Sequence, residues 1–201
     1  MQHEHSIWRE VVSSYARVCA RSIFLQITLI SLLFFVPAFG ASTIEGAIGE
    51  LKSNDLKTQY DGLEKIKAFR NPIATQALVK SAMQNSDINF RLAVLDQIGA
   101  LQDQTVVPAL SPLFSDKSIA IRQRTARVIG TLNGPRAEGV LMPAFANETD
   151  PSVKAALIQS LGLCGSKQSD TLLNAAEKDA DPSIRANAIY AHKRITDKKA
   201  N

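Results

Sequence analysis

A motif that returns at a nearly constant interval constrains the fold of this chain more than any other feature. The segment 150–156 (Asp-Pro-Ser-Val-Lys-Ala-Ala) returns at 181–187 (Asp-Pro-Ser-Ile-Arg-Ala-Asn), and looser copies lie at 87–93 and 118–124. Each copy carries a basic residue at the same place, which we call the anchor. The anchors are Arg91, Arg122, Lys154 and Arg185, spaced 31, 32 and 31 residues apart. One interval earlier the register falls on Gln59. Such an interval indicates a repeat array in which each unit packs on the next.

Apolar residues at fixed offsets from the anchor predict that each copy is an α-helix. Offsets of −1, +4, +7 and +10 lie on one face of a helix, and these positions are mostly Ile, Leu, Val or Phe. The +4 positions are Leu63, Leu95, Ala126, Ile158 and Ile189. The +7 positions are Ile66, Ile98, Ile129, Leu161 and His192, and the +10 positions are Phe69, Leu101, Leu132, Cys164 and Ile195.

Each predicted helix is preceded by a second apolar segment and a short polar linker. In the two clearest copies, aspartate as N-cap and proline at the first helical position mark where the helix begins. The earlier segments lie at 77–79, 106–110, 140–142 and 171–173. The sequence therefore predicts an all-α fold of about five helix-turn-helix repeats from near residue 43 to near residue 196.

The two Asp-Pro-Ser motifs, with Leu161-Gly162 following the first of them, resemble HEAT repeats. The short interval is similar to that of compact bacterial HEAT-like repeats, a type also seen in phycobilin lyases. The resemblance implies a right-handed α-α superhelix whose second helices line the concave face. It also implies docking of other proteins rather than catalysis. The first copy departs most from the pattern, because Gln59 replaces the basic anchor, as expected of a capping repeat.

The first forty residues form a separate unit. Residues 23–39 contain no charge, Arg17 and Arg21 precede them, and the first basic residue after them is Lys52. This asymmetry predicts that the N-terminus is cytoplasmic and the rest of the chain is exported. The small residues Ala38 and Gly40 fit the pattern that a signal peptidase recognises, so cleavage after Gly40 is favoured.

An uncleaved anchor helix is the competing interpretation. The charge-free run has the minimum length of a membrane-spanning helix, roughly 17 residues, and an apolar stripe from Ile7 to Cys19 could lie along the inner membrane surface. We therefore predict a leader with a signal peptide or anchor over 1–40 and a repeat domain over 41–201. The repeat domain is predicted in the bacterial periplasm or cell envelope, either free or anchored in the cytoplasmic membrane. Residues 7–39 would contact the membrane only if they are not cleaved.

Composition and motifs argue against most catalytic classes. Two cysteines and three histidines are too few for a disulfide framework or a cysteine-rich zinc module. Phosphate-loop, zinc-protease and nucleophile-elbow motifs are absent from the sequence. Cys164 and His192 occupy columns that are otherwise apolar, so both are interpreted as structural. Residues 41–201 hold 20 basic and 17 acidic residues, a mild excess that does not favour a nucleic acid partner. We predict no catalytic residue, no metal site and no cofactor.

The anchors allow two interpretations. They could form an anion-binding ladder, or each could pair with a carboxylate at a helix start of its own or the adjacent repeat. The second interpretation follows from the family resemblance and is favoured, with Asp87, Asp150 and Asp181 as suitably placed carboxylates.

The solvent side of the second helices holds the candidate binding residues. Positions two and five past the anchor change from acidic through basic to neutral along the array, and no acidic residue occurs between Lys117 and Arg136. The candidates for binding a partner are Glu64, Asp96, Arg124, Arg127, Gln159 and Tyr190. Such a charge pattern can orient a protein partner, although a solvated face with scattered charge is the simpler interpretation.

The leading hypothesis is an exported, non-enzymatic scaffold or adaptor that holds another protein of the cell envelope. Two alternatives stay open. One is a lyase-like or chaperone-like accessory factor for cofactor attachment. The other is an accessory domain of a transporter or secretion complex, tethered to the membrane by an uncleaved first helix.

Overall fold

A computed structural model describes residues 43–134 and 136–200, and within these ranges the regular structure is entirely helical. The α-helices are α1 (Ile44–Leu51), α2 (Leu56–Ile66), α3 (Pro72–Gln84), α4 (Ile88–Leu101), α5 (Val107–Leu110), α6 (Ile119–Leu132), α7 (Ala137–Asn147), α8 (Pro151–Cys164), α9 (Asp170–Ala176) and α10 (Pro182–Ala200). Short 3₁₀ turns at Gln104–Val106 and Ser111–Ser115 flank α5, and another at Lys167–Ser169 precedes α9. The predicted signal or anchor helix lies outside the described residues.

The helices form five consecutive pairs, so odd-numbered helices are the first and even-numbered helices the second of each pair. Within a pair the two helices pack together, and each second helix also packs on the second helices beside it. This confirms the predicted all-α, HEAT-like solenoid of about five helix-turn-helix repeats.

Aspartate side chains begin most of the second helices. The carboxylates of Asp55, Asp87 and Asp150 accept the N–H groups of Thr58, Phe90 and Ser152. Each bond satisfies one of the amide donors that the first turn of a helix leaves without a partner. The N-cap residues predicted from the motif are therefore used as N-caps.

The predicted apolar columns form the core of the stack. The +4 and +7 side chains of the first four pairs are all buried. The +10 side chains of Leu132 and Ile195 are buried, whereas Phe69, Leu101 and Cys164 are only half-buried.

Ile189 corrects the prediction for the fifth pair, since its side chain is 58% exposed. The +4 position faces the following pair: Ile158 of α8 packs with Leu173, Ile184 and Ala188 of the fifth pair. Within the described residues no helix follows α10, so Ile189 has nothing to pack against.

The second helices approach each other through glycine. A Cβ atom added to Gly130 of α6 would lie 2.6 Å from the Cβ of Ser160 on α8. A Cβ atom added to Gly162 of α8 would lie 2.9 Å from the Cα of Ala191 on α10. Only a residue without a side chain permits this separation. The Ser160 hydroxyl closes the first contact by donating to the carbonyl of Ala126 at 2.7 Å.

The first helices, in contrast, are separated by grooves. One groove of about 690 Å³ lies between the 3₁₀ turn Ser111–Ser115 and α7, and another of about 430 Å³ lies between α1 and α3. The second helices are therefore packed more closely than the first helices. We call the solvent side of the second helices the inner face.

Candidate functional site

The inner face carries the predicted partner-binding residues. The positions five past each anchor are all exposed: Glu64, Asp96, Arg127, Gln159 and Tyr190. Arg124, two past its anchor, is half-buried. The structure thus places all six predicted residues on one side of the second helices, in the order acidic, basic and neutral along the stack.

Neighbouring inner-face side chains contact each other across repeats. Arg124 of α6 forms an ion pair with Asp96 of α4, and the amide of Gln159 donates to Asn187 Oδ1 at 2.8 Å. The first contact lies where the acidic part of the face meets the basic part, and the second joins the fourth pair to the fifth within the neutral part.

Two inner-face side chains have polar groups that are not bound by other described residues. Arg127 and Tyr190 form no side-chain hydrogen bond with any other described residue, and the side chain of Tyr190 is 59% exposed. Arg127 is consequently the basic group on this face that is available to a partner, because Arg124 is already paired.

A second set of polar residues lies at the turn inside each pair, six positions before the anchor. We call them the turn residues: Ser53, Asn85, Asp116, Glu148 and Asp179. Each accepts the backbone N–H two residues later, at distances between 2.8 and 3.1 Å. The bonds close a small side-chain-to-backbone ring of the Asx-turn kind that fixes the entry into the second helix.

The first three anchor positions reach the turn residue of the following pair. Gln59 accepts from Asn85 Nδ2 at 2.9 Å, and Arg91 forms an ion pair with Asp116. Arg122 binds Glu148 with two bonds, from Nε at 2.8 Å and from Nη2 at 3.1 Å. We call this series of contacts the turn ladder.

The fourth junction departs from the turn ladder. The ammonium group of Lys154 lies over the ring of Phe145, 5.7 Å from its centroid, and it forms no ion pair with the described residues. A cation over an aromatic face contributes less than a buried bidentate ion pair.

The turn ladder corrects the predicted partners of the anchors. The anchors of the described repeats make structural contacts, as the favoured interpretation required. However, Asp87, Asp150 and Asp181 are wrong as ion-pair partners, because their carboxylates accept amide bonds at the starts of their own helices. The sequence signal that could have found the correct column is a polar side chain two residues before each N-cap.

The ladder carboxylates are charged at neutral pH. Burial pushes the pKa of Asp116 upwards, but bonds from Arg91 and from the Ser118 amide hold that pKa below its usual value. Burial acts in the same direction on Glu148, and its bonds with Arg122 and with the turn amides again leave the pKa lowered.

Glu138 joins the fourth pair to the fifth and was not singled out in the sequence. This nearly buried residue accepts from Ser166 N at 2.9 Å and Ser166 Oγ at 2.8 Å, and also from the hydroxyl of Ser169. Burial pushes the pKa of the Glu138 carboxyl group upwards. The hydroxyl and amide bonds lower this pKa by more than burial raises it, so the pKa lies below its usual value. Its partners are about 30 residues away in the chain, so no local pattern reveals it.

Cys164 and His192, which were interpreted as structural, each contact a polar group of the described residues. Burial, together with the nearby charge of Glu138, raises the pKa of the Cys164 thiol to about 11, which leaves it protonated at neutral pH. His192 Nδ1 lies 2.9 Å from Glu177 Oε1.

Two further kinds of feature are absent from the described residues. In 43–134 and 136–200, no group of three or more His, Cys, Asp or Glu side chains could hold a metal ion. Across the same ranges, no helix has both the length and the apolar character needed to cross a membrane.

Stacked helix pairs joined by a turn ladder define the chain as an α-solenoid, a class of repeat proteins. A family model described as HEAT repeats matches residues 75–162 and 139–200. The chain belongs to the HEAT-repeat family.

A solved structure of a complex shares this fold. The complex of CpcE and CpcF of phycocyanin lyase from Nostoc sp. PCC7120 matches with a TM-score of 0.61 and 19% identity, over 82% of this chain and 69% of that chain. A crystal structure of an engineered protein matches with a TM-score of 0.49 and 15% identity, over 77% of this chain and 79% of that one. No curated protein sequence matches the chain.

Proposed function

We propose that the chain is an exported, non-enzymatic scaffold that holds another protein of the cell envelope against the inner face. The observation that carries this proposal is the order of exposed groups on that face. Glu64 and Asp96 lie towards one end, Arg127 lies in the middle, and Gln159 and Tyr190 lie towards the other end. Stacked repeats offer such extended surfaces to partners.

The exposed charges act mainly on how a partner approaches and orients. Charges at the rim of an interface change the association rate and its salt dependence more than the dissociation rate. A partner that fits presents acidic groups opposite Arg127, since the carboxylates of Glu64 and Asp96 are already paired with Lys67 and Arg124. The exposed ring of Tyr190 supplies the aromatic contact that interfaces favour.

Reversing one charge tests this role of the inner face. Arg127→Glu is expected to reduce recovery of the partner, in a crosslinked pulldown from the native host, by roughly tenfold at low salt, because it removes the free basic group and adds repulsion. Arg127 forms no bond with other described side chains, so the melting temperature should stay unchanged.

Arg70→Glu is the matched control, since Arg70 is also exposed but lies in the loop between α2 and α3. This control should recover the partner as the unmodified chain does. If Arg127→Glu recovers as much partner as the unmodified chain, the charge of the inner face does not contribute to binding the partner.

Export is proposed from the sequence of residues 1–40. Arginines before a charge-free run and small residues after it support a signal peptide that is cleaved after Gly40. N-terminal sequencing of the protein from its native host is expected to give a chain that begins at Ala41. A chain that begins at Met1 or Gln2 would contradict cleavage and favour the membrane-tethered accessory domain.

A lyase-like or chaperone-like role in cofactor attachment is the second candidate. Its support is the fold shared with the phycocyanin lyase complex. The protonated Cys164 thiol counts against covalent chemistry at that residue. A chromophore that co-purifies with the chain would favour this candidate over the scaffold.

A further inference from the structure

The outward side of α10 has the chemistry of an internal repeat junction but no described helix against it. We call Arg185, Ala186, Ile189 and Lys193 the terminal face. They occupy the anchor, +1, +4 and +8 positions, which in earlier second helices face the next pair. The equivalent of Ile189 in the fourth pair, Ile158, is fully buried against the fifth pair. Ile189 itself is 58% exposed.

Arg185 is held in the conformation of an anchor that binds across a junction. Its Nη1 donates to the carbonyls of Asp179 and Ala180, both at 2.8 Å. Arg122 uses Nη1 in the same way on the carbonyl of Asp116 at 2.9 Å, which leaves its Nε and Nη2 to bind Glu148 of the next pair.

The outer edge of the Arg185 guanidinium is therefore ready for a carboxylate. Its Nε and Nη2 form no hydrogen bond with any described residue. Two parallel N–H groups in a fixed plane match the two oxygens of a carboxylate.

The charge of α10 indicates which kind of partner fits the terminal face. Asp197 is the one acidic residue of α10, whereas five residues of this helix are basic: Arg185, Lys193, Arg194, Lys198 and Lys199. Two copies docked through this face would bring like charges together. Docking on the first pair of another copy would set Arg185 opposite Ser53, which offers no carboxylate.

We propose that the terminal face docks a helix pair of a different protein, one that carries Asp or Glu in the turn before its second helix. That carboxylate takes the place that Glu148 holds against Arg122. The helix pair covers Ile189 as the fifth pair covers Ile158, so the partner continues the stack. This surface is separate from the inner face, and either proposal can fail without the other.

Site-specific photocrosslinking of the full chain in its native host tests the proposal. A photoreactive amino acid at Ala186 is expected to crosslink to another protein, and mass spectrometry should place the crosslink beside an Asp or Glu in a turn between two helices. The same amino acid at Ile73 of α3, which is also strongly exposed, is the positional control. It should not crosslink to that partner.

Two variants connect the crosslink to the terminal face. Arg185→Glu should lower its yield roughly tenfold or more, because it sets two carboxylates against each other. Exchanging the partner's acidic turn residue for arginine should then restore the yield. Ile189→Glu, at a position that is already exposed, should also abolish the crosslink without lowering the melting temperature. Lys178→Glu, an exposed charge outside this face, should have no effect.

Other outcomes overturn the proposal. They are a crosslink to a second copy of this chain, to residues 1–42 of the same chain, or to lipid, and no crosslink at all. A yield that Arg185→Glu leaves unchanged also overturns it. So does a dimer of the purified chain, measured by light scattering, that Ile189→Glu dissociates.

Discussion

Arg122→Met is expected to lower the free energy of unfolding by about 3 kcal/mol, the scale for breaking one side of a buried ion pair. The side chains of Arg122 and Glu148 are only 15% and 6% exposed. Methionine keeps much of the apolar stem but leaves the Glu148 carboxylate buried without its two guanidinium bonds. Urea unfolding followed by circular dichroism measures the change.

Lys154→Met is the control, because this anchor forms no ion pair with the described residues. Lys154→Met should lower the free energy of unfolding by no more than about 1 kcal/mol, the scale of a cation–π contact. If Arg122→Met and Lys154→Met lower the free energy of unfolding equally, the ion pair of the turn ladder adds no stability at the third junction.

The pH dependence gives the Arg122 prediction a second measurement. The folded pKa of Glu148 is lowered, so its contribution to stability is present above the unfolded pKa of about 4.3 and is lost as the pH falls through the lower folded value. The gap in stability between the unmodified chain and Arg122→Met should therefore narrow below about pH 4. A gap that stays constant down to pH 2 would contradict an electrostatic origin.

Gly130→Ala is expected to lower the free energy of unfolding by about 2 kcal/mol, as overpacking does in a tight core. The new methyl group would meet Ser160 at 2.6 Å and the backbone of α8 at 2.8 Å. The two second helices must then separate, which strains the Ser160 bond to Ala126. The better helix propensity of alanine offsets only part of this cost.

Two glycines serve as controls for this prediction. Gly99 occupies the same column, and its added Cβ would lie an ordinary 3.6 Å from Val128, so Gly99→Ala should be tolerated. Gly139 of α7 has no atom within 4 Å of an added Cβ, so Gly139→Ala should stabilise by about 0.5–1 kcal/mol. If Gly139→Ala lowers the free energy of unfolding as much as Gly130→Ala does, the cost at Gly130 does not come from the close approach of α6 and α8.

The sequence predicts well whatever depends on helical periodicity. The columns that contain Leu95, Ile129 and Leu161 are buried because a helix turns the same positions inward in every pair. Ile189 shows where this reasoning fails, because a column tells which side of a helix faces a neighbour but not that a neighbour is present. His192 is half-buried in its column for the same reason.

Contacts between distant polar groups were harder to predict. The turn residues vary among Ser, Asn, Asp and Glu, and three of them, Asn85, Asp116 and Glu148, meet an anchor about 26 residues earlier in the chain, so residue type alone does not mark them. Glu138 is harder still, since its hydroxyl partners lie about 30 residues further along the chain, in the linker before α9. On the inner face, helical spacing placed Asp96 and Arg124 on the same side, but their ion pair depends on how two helices are set beside each other.

The fourth junction lacks the ion pair of the second and third junctions, and the apolar core divides into two clusters close to it. The first four pairs are joined by the turn ladder and share one continuous apolar cluster, whereas Leu173, Ile184, Ala188 and Ile195 belong to a smaller cluster of their own. The fifth pair is attached through Glu138, through the Gly162 contact and through the packing of α10 on α8. The terminal face belongs to this pair, so a partner that binds there would also stabilise the last repeat on the stack.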